Sequence, residues 1–191
     1  MNEKELATAL GKSLDGSFER LVRIYQNRLY SFALRLSHNT HDAEDIAQEA
    51  FVRAYQALKS YRQNRIEGMV LKPWLYKITL NVFRNRVRGR HLPWVSLDKT
   101  DGDSPVEPED DESHRPESIF ETTERRNQLD ALIARLPEKY RVAVILRYVE
   151  GLDYAKLAAV MGQPIGTVKS NVHRGIHLLK KSISKQMREV Q

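Results

Sequence analysis

The chain has 191 residues, a formal net charge of +6 and no cysteine. That length suits one or two small domains with cores of their own, and the missing thiols exclude disulfides, Cys-based zinc sites and thiol catalysis. The opening MNEKELATALGK has no apolar signal core and no segment approaches the ~20 apolar residues of a membrane span, so a cytoplasmic protein without membrane insertion is expected.

Residues 1–14 read as a frayed helical turn. From Phe18 to Leu36 the apolar positions Phe18, Leu21, Val22, Tyr25, Leu29, Phe32, Ala33 and Leu36 keep helical period. Residues 37–41 form a turn with Asn39 or Thr40 as cap. The next helix, residues 42–59, is the most regular: Ala43, Ile46, Ala47, Ala50, Phe51, Ala54, Tyr55 and Leu58 alternate spacings of three and one. Asp45, Gln48, Glu49 and Gln56 fall on another face, either a solvated surface or a docking face for a partner protein. Residues 60–72, SYRQNRIEGMVLK, break the period and read as a loop carrying Tyr61, Arg62, Asn64 and Arg65.

Pro73 suits the first position of a helix that runs to about residue 90. Tyr76, Leu80, Phe83 and Val87 make its apolar stripe, widened by Leu75, Ile78 and Val82. Lys77, Asn81, Arg84, Asn85 and Arg88 line the opposite side. Such a face can track phosphates while Asn81 or Asn85 reaches a base. The loop beside it, with Tyr61, Arg62, Arg65 and then Trp74 and Tyr76, offers rings on which an unpaired base could stack; Trp74 is expected in the core.

Residues 98–118, DKTDGDSPVEPEDDESHRPES, hold three prolines and few apolar side chains, so burial cannot offset their ordering entropy and a flexible linker is expected. A helix over residues 119–136 uses Leu129, Leu132, Ile133 and Leu136. Pro137 opens another, for which Gly151 is the stop.

Residues 152–181 then read as two short helices around a tight turn. Asp153 caps the first, whose face is Tyr154, Leu157, Ala158 and Met161; Gly162 ends it and Pro164 cannot continue it. The second has an apolar stripe of Ile165, Val168, Val172, Ile176 and Leu179, and a polar side of Thr167, Lys169, Ser170, Asn171, His173 and Arg174. This is a helix-turn-helix pattern, in which the second helix offers its N-terminal half to a major groove. Two amphipathic helices joined by Gly and Pro are common in helical proteins, so the pattern alone does not decide for DNA. Charge does: from Ile165 to Arg188 there are six Lys/Arg and no Asp or Glu.

No period-two strand pattern occurs, so an all-α chain is expected: two small helical domains, 1–97 and 119–191, joined by the acidic stretch 98–118. Residues 59–97 carry net +8, residues 98–124 net −9 and residues 125–191 net +8. Two basic modules around an acidic connector suggest two contacts with one polyanion. His173 and His177 lie four apart without a carboxylate near them in the sequence and read as surface residues, so no metal and no cofactor is expected. Clustered carboxylates and phosphate-cradling glycine loops are missing as well, and an enzyme is not expected.

Three passages together resemble the extracytoplasmic-function (ECF) sigma factors of the sigma-70 family. DAEDIAQEAFVRAYQAL (residues 42–58) looks like the helix that grips the β′ clamp helices of core RNA polymerase. PWLYKITLNVFRNRVR (residues 73–88) looks like the helix that reads the −10 element. LPEKYRVAVILRYVEGLDYAKLAAVMGQPIGTVKSNVHRGIHLLKK (residues 136–181) looks like the domain that reads the −35 element.

The resemblance implies core-polymerase contacts at Asp45, Gln48 and Glu49. It implies −35 contacts from Thr167, Lys169, Ser170, Asn171, His173 and Arg174. For the −10 element it implies Tyr61, Arg62, Asn64, Arg65, Lys77, Asn81, Arg84, Asn85 and Arg88. It also implies promoter DNA and an anti-sigma factor as partners, and a tether that either threads polymerase channels or is a plain charged spacer. Asn171 stands where relatives often carry Arg, which shifts the expected base from guanine to adenine. Asn85 stands where many carry Asp, and the loop before Pro73 is longer than usual. A stand-alone helix-turn-helix regulator using only the C-terminal domain is the alternative.

Overall fold

A computed structural model describes residues 2–91 and 128–189, and no strand occurs among the described residues. The first group of helices is α1 (Glu3–Lys12), α2 (Leu14–Ser37), α3 (Thr40–Ser60), α4 (Gln63–Glu67) and α5 (Leu71–His91). The second is α6 (residues 128–134), α7 (Glu138–Val144) with a π turn (Ile145–Val149), α8 (Tyr154–Met161) and α9 (Ile165–Glu189). The acidic stretch 98–118 and the expected helix start at Ile119 lie outside the described residues.

The N-terminus departs from expectation, because α1 is a full helix. Asn2 Oδ1 accepts the Glu5 N–H at 2.9 Å while the Glu5 carboxylate accepts the Asn2 N–H at 3.1 Å, a reciprocal cap. Leu6, Ala7 and Leu10 are fully buried, which holds a helix too short to persist alone. α2 and α3 follow as a hairpin. His38 takes a left-handed φ of 56° at its corner, and Asn39 Oδ1 caps α3 through the Asp42 N–H at 2.9 Å. The apolar face of α3 is buried as its period requires, and Phe51 packs half-buried against it.

The expected loop 60–72 contains a short helix, α4, and α5 starts two residues before Pro73. A proline there is tolerated because first-turn N–H groups have no partner within the helix. Leu71, Leu75, Tyr76 and Leu80 are fully buried, each such leucine contributing about 1.5–3 kcal/mol. Trp74 sits half-buried at the rim of this core.

In the second group Pro137 precedes α7, and the helix widens into the π turn, where the Glu150 N–H reaches Ile145 O at 3.0 Å. Gly151 at φ 68° ends it. The helix-turn-helix is punctuated as read: Asp153 Oδ1 caps α8 through the Lys156 N–H at 2.8 Å, Gly162 adopts φ 65°, and Pro164 O accepts the Val168 N–H at 3.1 Å.

The two groups share a continuous core, with α8 laid against α5 and α7 touching α2. Ionic contacts surround it. Arg35 reaches Asp130 at 3.1 Å and Arg84 reaches Glu138 at 3.3 Å. Lys72 donates to the Glu150 carbonyl and lies 3.8 Å from its carboxylate, which also accepts the Tyr76 hydroxyl.

Candidate nucleic-acid interface

α9 buries Val168, Val172 and Leu179 against α7 and α8, leaving Thr167, Lys169, Ser170, His173 and Arg174 exposed. Gly175 permits that packing: a Cβ there would lie 2.6 Å from Val144 Cγ2 and 3.4 Å from the Tyr140 carbonyl. Ser170 Oγ is turned back onto Gly166 O at 3.0 Å. The Arg174 guanidinium stands beside the Tyr140 hydroxyl and, by hydrogen bonding, holds its pKa below the usual tyrosine value. Lys169 lies over the Tyr154 ring at 5.6 Å, and Arg147 is 4.9 Å from the same ring.

Asn171 requires a correction. Expected to read a base, it is 7% exposed and donates from Nδ2 to Gln163 Oε1 at 3.0 Å. The sequence holds the signal: Asn171 is three residues after Val168 and four before Gly175, which puts it on the packed stripe. Ile165, placed on that stripe by spacing, is instead 45% exposed at the helix start.

On α5, Lys77, Asn81, Asn85 and Arg88 are exposed along one face, as their spacing requires. Arg84 is half-buried and turned to Glu138. The neighbouring segment presents Arg62, Asn64 and Arg65 to solvent. Arg65 stacks on the Tyr61 ring at 3.7 Å, and Trp74 is the next ring, 6.3 Å from Tyr61. The result is a layered cationic and aromatic ledge at the start of α5. A flat, unpaired base could add to such a ledge, whereas a duplex edge offers it no free ring face.

The acidic face of α3 lies across a notch from α5. Gln48 and Glu49 are exposed, with Glu49 paired to Arg53 at 2.7 Å, and Val52 is 51% exposed between them and Val82. Asp45 is only partly available. Arg86 reaches it at 2.6 Å and Asp42 at 3.2 Å, and that hydrogen bond holds the Asp45 carboxyl below the ordinary range. Sequence reasoning names no partner for Arg86, Glu138, Glu150, Gln163 or Gly175.

Comparisons with known proteins agree with this layout. The family model described as Sigma-70 region 2 matches residues 21–92, and that described as Sigma-70, region 4 matches residues 126–179. The ECF RNA polymerase sigma factor SigE of Mycolicibacterium smegmatis is 36% identical over 173 residues, 91% of this chain and 64% of that protein. This chain therefore spans somewhat less than two thirds of that relative's length. The ECF RNA polymerase sigma factor SigW of Bacillus subtilis is 34% identical over 171 residues, covering 87% of this chain and 89% of that one. The sigma factor RpoE of Bartonella quintana, solved in complex with the anti-sigma factor NepR, superposes with a TM-score of 0.65 at 25% identity over 87% of this chain and 96% of its own.

Proposed function

The chain belongs to the sigma-70 family of RNA polymerase sigma factors, in its extracytoplasmic-function branch, and on that premise we propose how its residues divide the task. Residues 1–97 bind core polymerase and the −10 element, residues 98–118 act as a tether, and residues 119–191 bind the −35 element. No covalent chemistry is performed; the chain directs and assists initiation by binding.

Glu49 and Gln48 on α3 contact the β′ clamp helices. Asp45 acts in part by anchoring Arg86. Thr167, Lys169, His173 and Arg174 enter the major groove of the −35 element, while Ser170 and Asn171 hold the helix and turn in shape. On α5, Lys77, Asn81, Asn85 and Arg88 track the −10 strand, joined by Arg84 once it leaves Glu138. The ledge of Tyr61, Arg62, Asn64 and Arg65 captures an extruded base, offsetting an unstacking cost of a few kcal/mol. Phosphate contacts supply affinity without sequence preference. A protein inhibitor of the kind seen with the Bartonella relative is proposed as a further partner.

What supports this reading best is the pairing of two exposed cationic helix faces, on α5 and α9, with the order in which regions 2 and 4 match. Run-off transcription with purified core polymerase, with and without the chain, tests it. Promoter-specific transcript is expected only with the chain, and Glu49→Lys is expected to reduce it while sparing duplex binding by the −35 face. A stand-alone regulator would bind its operator tightly without polymerase and give no transcript.

A further inference from the structure

Helix α1 precedes the region matched by the sigma-70 family model, which begins at residue 21. It nevertheless touches both helices that carry ledge residues, α4 and α5. α4 has five residues, too few to hold a helix by hydrogen bonding alone, and among the described residues the element it packs against most extensively is α1. Ile66 of α4 is buried on the same core as Leu6, Ala7 and Leu10. At the crossing stands Gly11, inside α1, where a Cβ would lie 2.7 Å from Glu67 Cγ and 3.2 Å from the Gln63 carbonyl. Glycine inside a helix is normally unfavourable, so its presence here fits a close backbone approach. A second tie sits at the start of α5, two residues before Trp74: Glu3 accepts the Lys72 N–H at 2.6 Å, placing a carboxylate on the free N-terminus of α5.

We propose that α1 is a positioning element for promoter opening, with Gly11 setting the distance of α4 and Glu3 anchoring the start of α5, so that the Tyr61–Arg65 ledge is held at the angle that accepts an unpaired base. The inference rests on the ledge's assignment to the −10 base. It differs from a general stabilising role in that the extensive contacts of α1 are with α4, α2 and the start of α5, not with the acidic face of α3 or with α9.

The experiment uses the full chain with core polymerase on one promoter. It measures three quantities separately: affinity for core polymerase, protection of the −35 element, and opening, read by permanganate oxidation of −10 thymines. The variants are Gly11→Leu, Gly11→Ala, Glu3→Gln and Tyr61→Ala. Gly11→Leu is expected to lower opening about tenfold or more while leaving the other two readouts within about twofold. Gly11→Ala should lie between it and the parent, since the Glu67 side chain can swing aside but the Gln63 carbonyl cannot. Glu3→Gln should lower opening in the same selective way.

Loss of all three readouts together in Gly11→Leu and Glu3→Gln would mean simple unfolding and overturn the proposal. Normal opening in Gly11→Leu, with opening lost in Tyr61→Ala, would overturn it while keeping the ledge's role. Normal opening in Tyr61→Ala would instead overturn the ledge assignment itself, and the proposal with it.

Discussion

Asn171 shows how a single side chain changes the expected outcome of a mutation. Because it bonds inward to Gln163, Asn171→Ala removes a hydrogen bond worth about 0.5–1.5 kcal/mol and loosens the turn. Binding should fall by a similar factor on matched and mismatched −35 sequences, a result that competition binding can separate from relaxed readout at one position. His38 sets a pH dependence. Partial desolvation at this otherwise exposed corner, and then the Arg141 guanidinium beside it, lower its pKa below the ordinary histidine value. The folded state thus binds fewer protons than the unfolded state near that value, so this contribution to stability is intact above pH ~6.5 and is lost as pH falls below it. The melting midpoint should drop between pH 7.5 and 5.5, and His38→Gln should flatten that part of the slope.

Among the elements, α9 depends most on one missing side chain. Gly175→Leu would drive atoms into Val144 and Tyr140, an overpacking cost of about 1–3 kcal/mol. Gly175→Ala should be milder, since the helix gains about 1 kcal/mol of propensity. Thermal melts followed by circular dichroism would rank parent, Ala and Leu in that order of decreasing stability. The same helices show what the sequence could and could not reveal. Asp153, Gly162 and Pro164 act through neighbours within a few residues, so local pattern was enough to find the helix-turn-helix. For α1 only the Asn2–Glu5 cap is local; Ile66, which shares its core, and Lys72, which it ties, lie some sixty positions away, and periodicity carries no such information. Glu138 and Glu150 escaped notice for the same reason, since their partners are Arg84, Lys72 and Tyr76. Asn171 could have been found, because its spacing from Val168 and Gly175 already placed it inside.

At the scale of the molecule, distance is the deciding quantity. With α8 packed against both α5 and α9, and helices about 10 Å across, the axes of α5 and α9 approach to within roughly 20 Å. Promoter elements near −10 and −35 lie about 25 base pairs apart, or roughly 85 Å along the duplex at about 3.4 Å per pair. On the proposed assignment of α5 to the −10 element and α9 to the −35 element, the two groups of helices separate when both are held, and the residues between His91 and Gln128 are numerous enough to span that gap at about 3.3–3.6 Å each. Beside the shared apolar core, Glu150 is a polar tie between the groups, 8% exposed at its side chain, close to Lys72 and accepting from Tyr76. Glu150→Ala removes the acceptor of the Tyr76 hydroxyl and the charge near Lys72, whose bond to the Glu150 carbonyl remains, at a cost of about 1–3 kcal/mol to the closed arrangement. Small-angle scattering should register a larger radius of gyration, and an unchanged radius would contradict this account. Partner affinity is then throttled by an internal ratio: a chain open one part in a hundred binds an open-form partner about a hundredfold more weakly than its bare surface allows. On the proposed division of roles, a carboxylate wedged between the two groups of helices is one of the contacts that set this ratio.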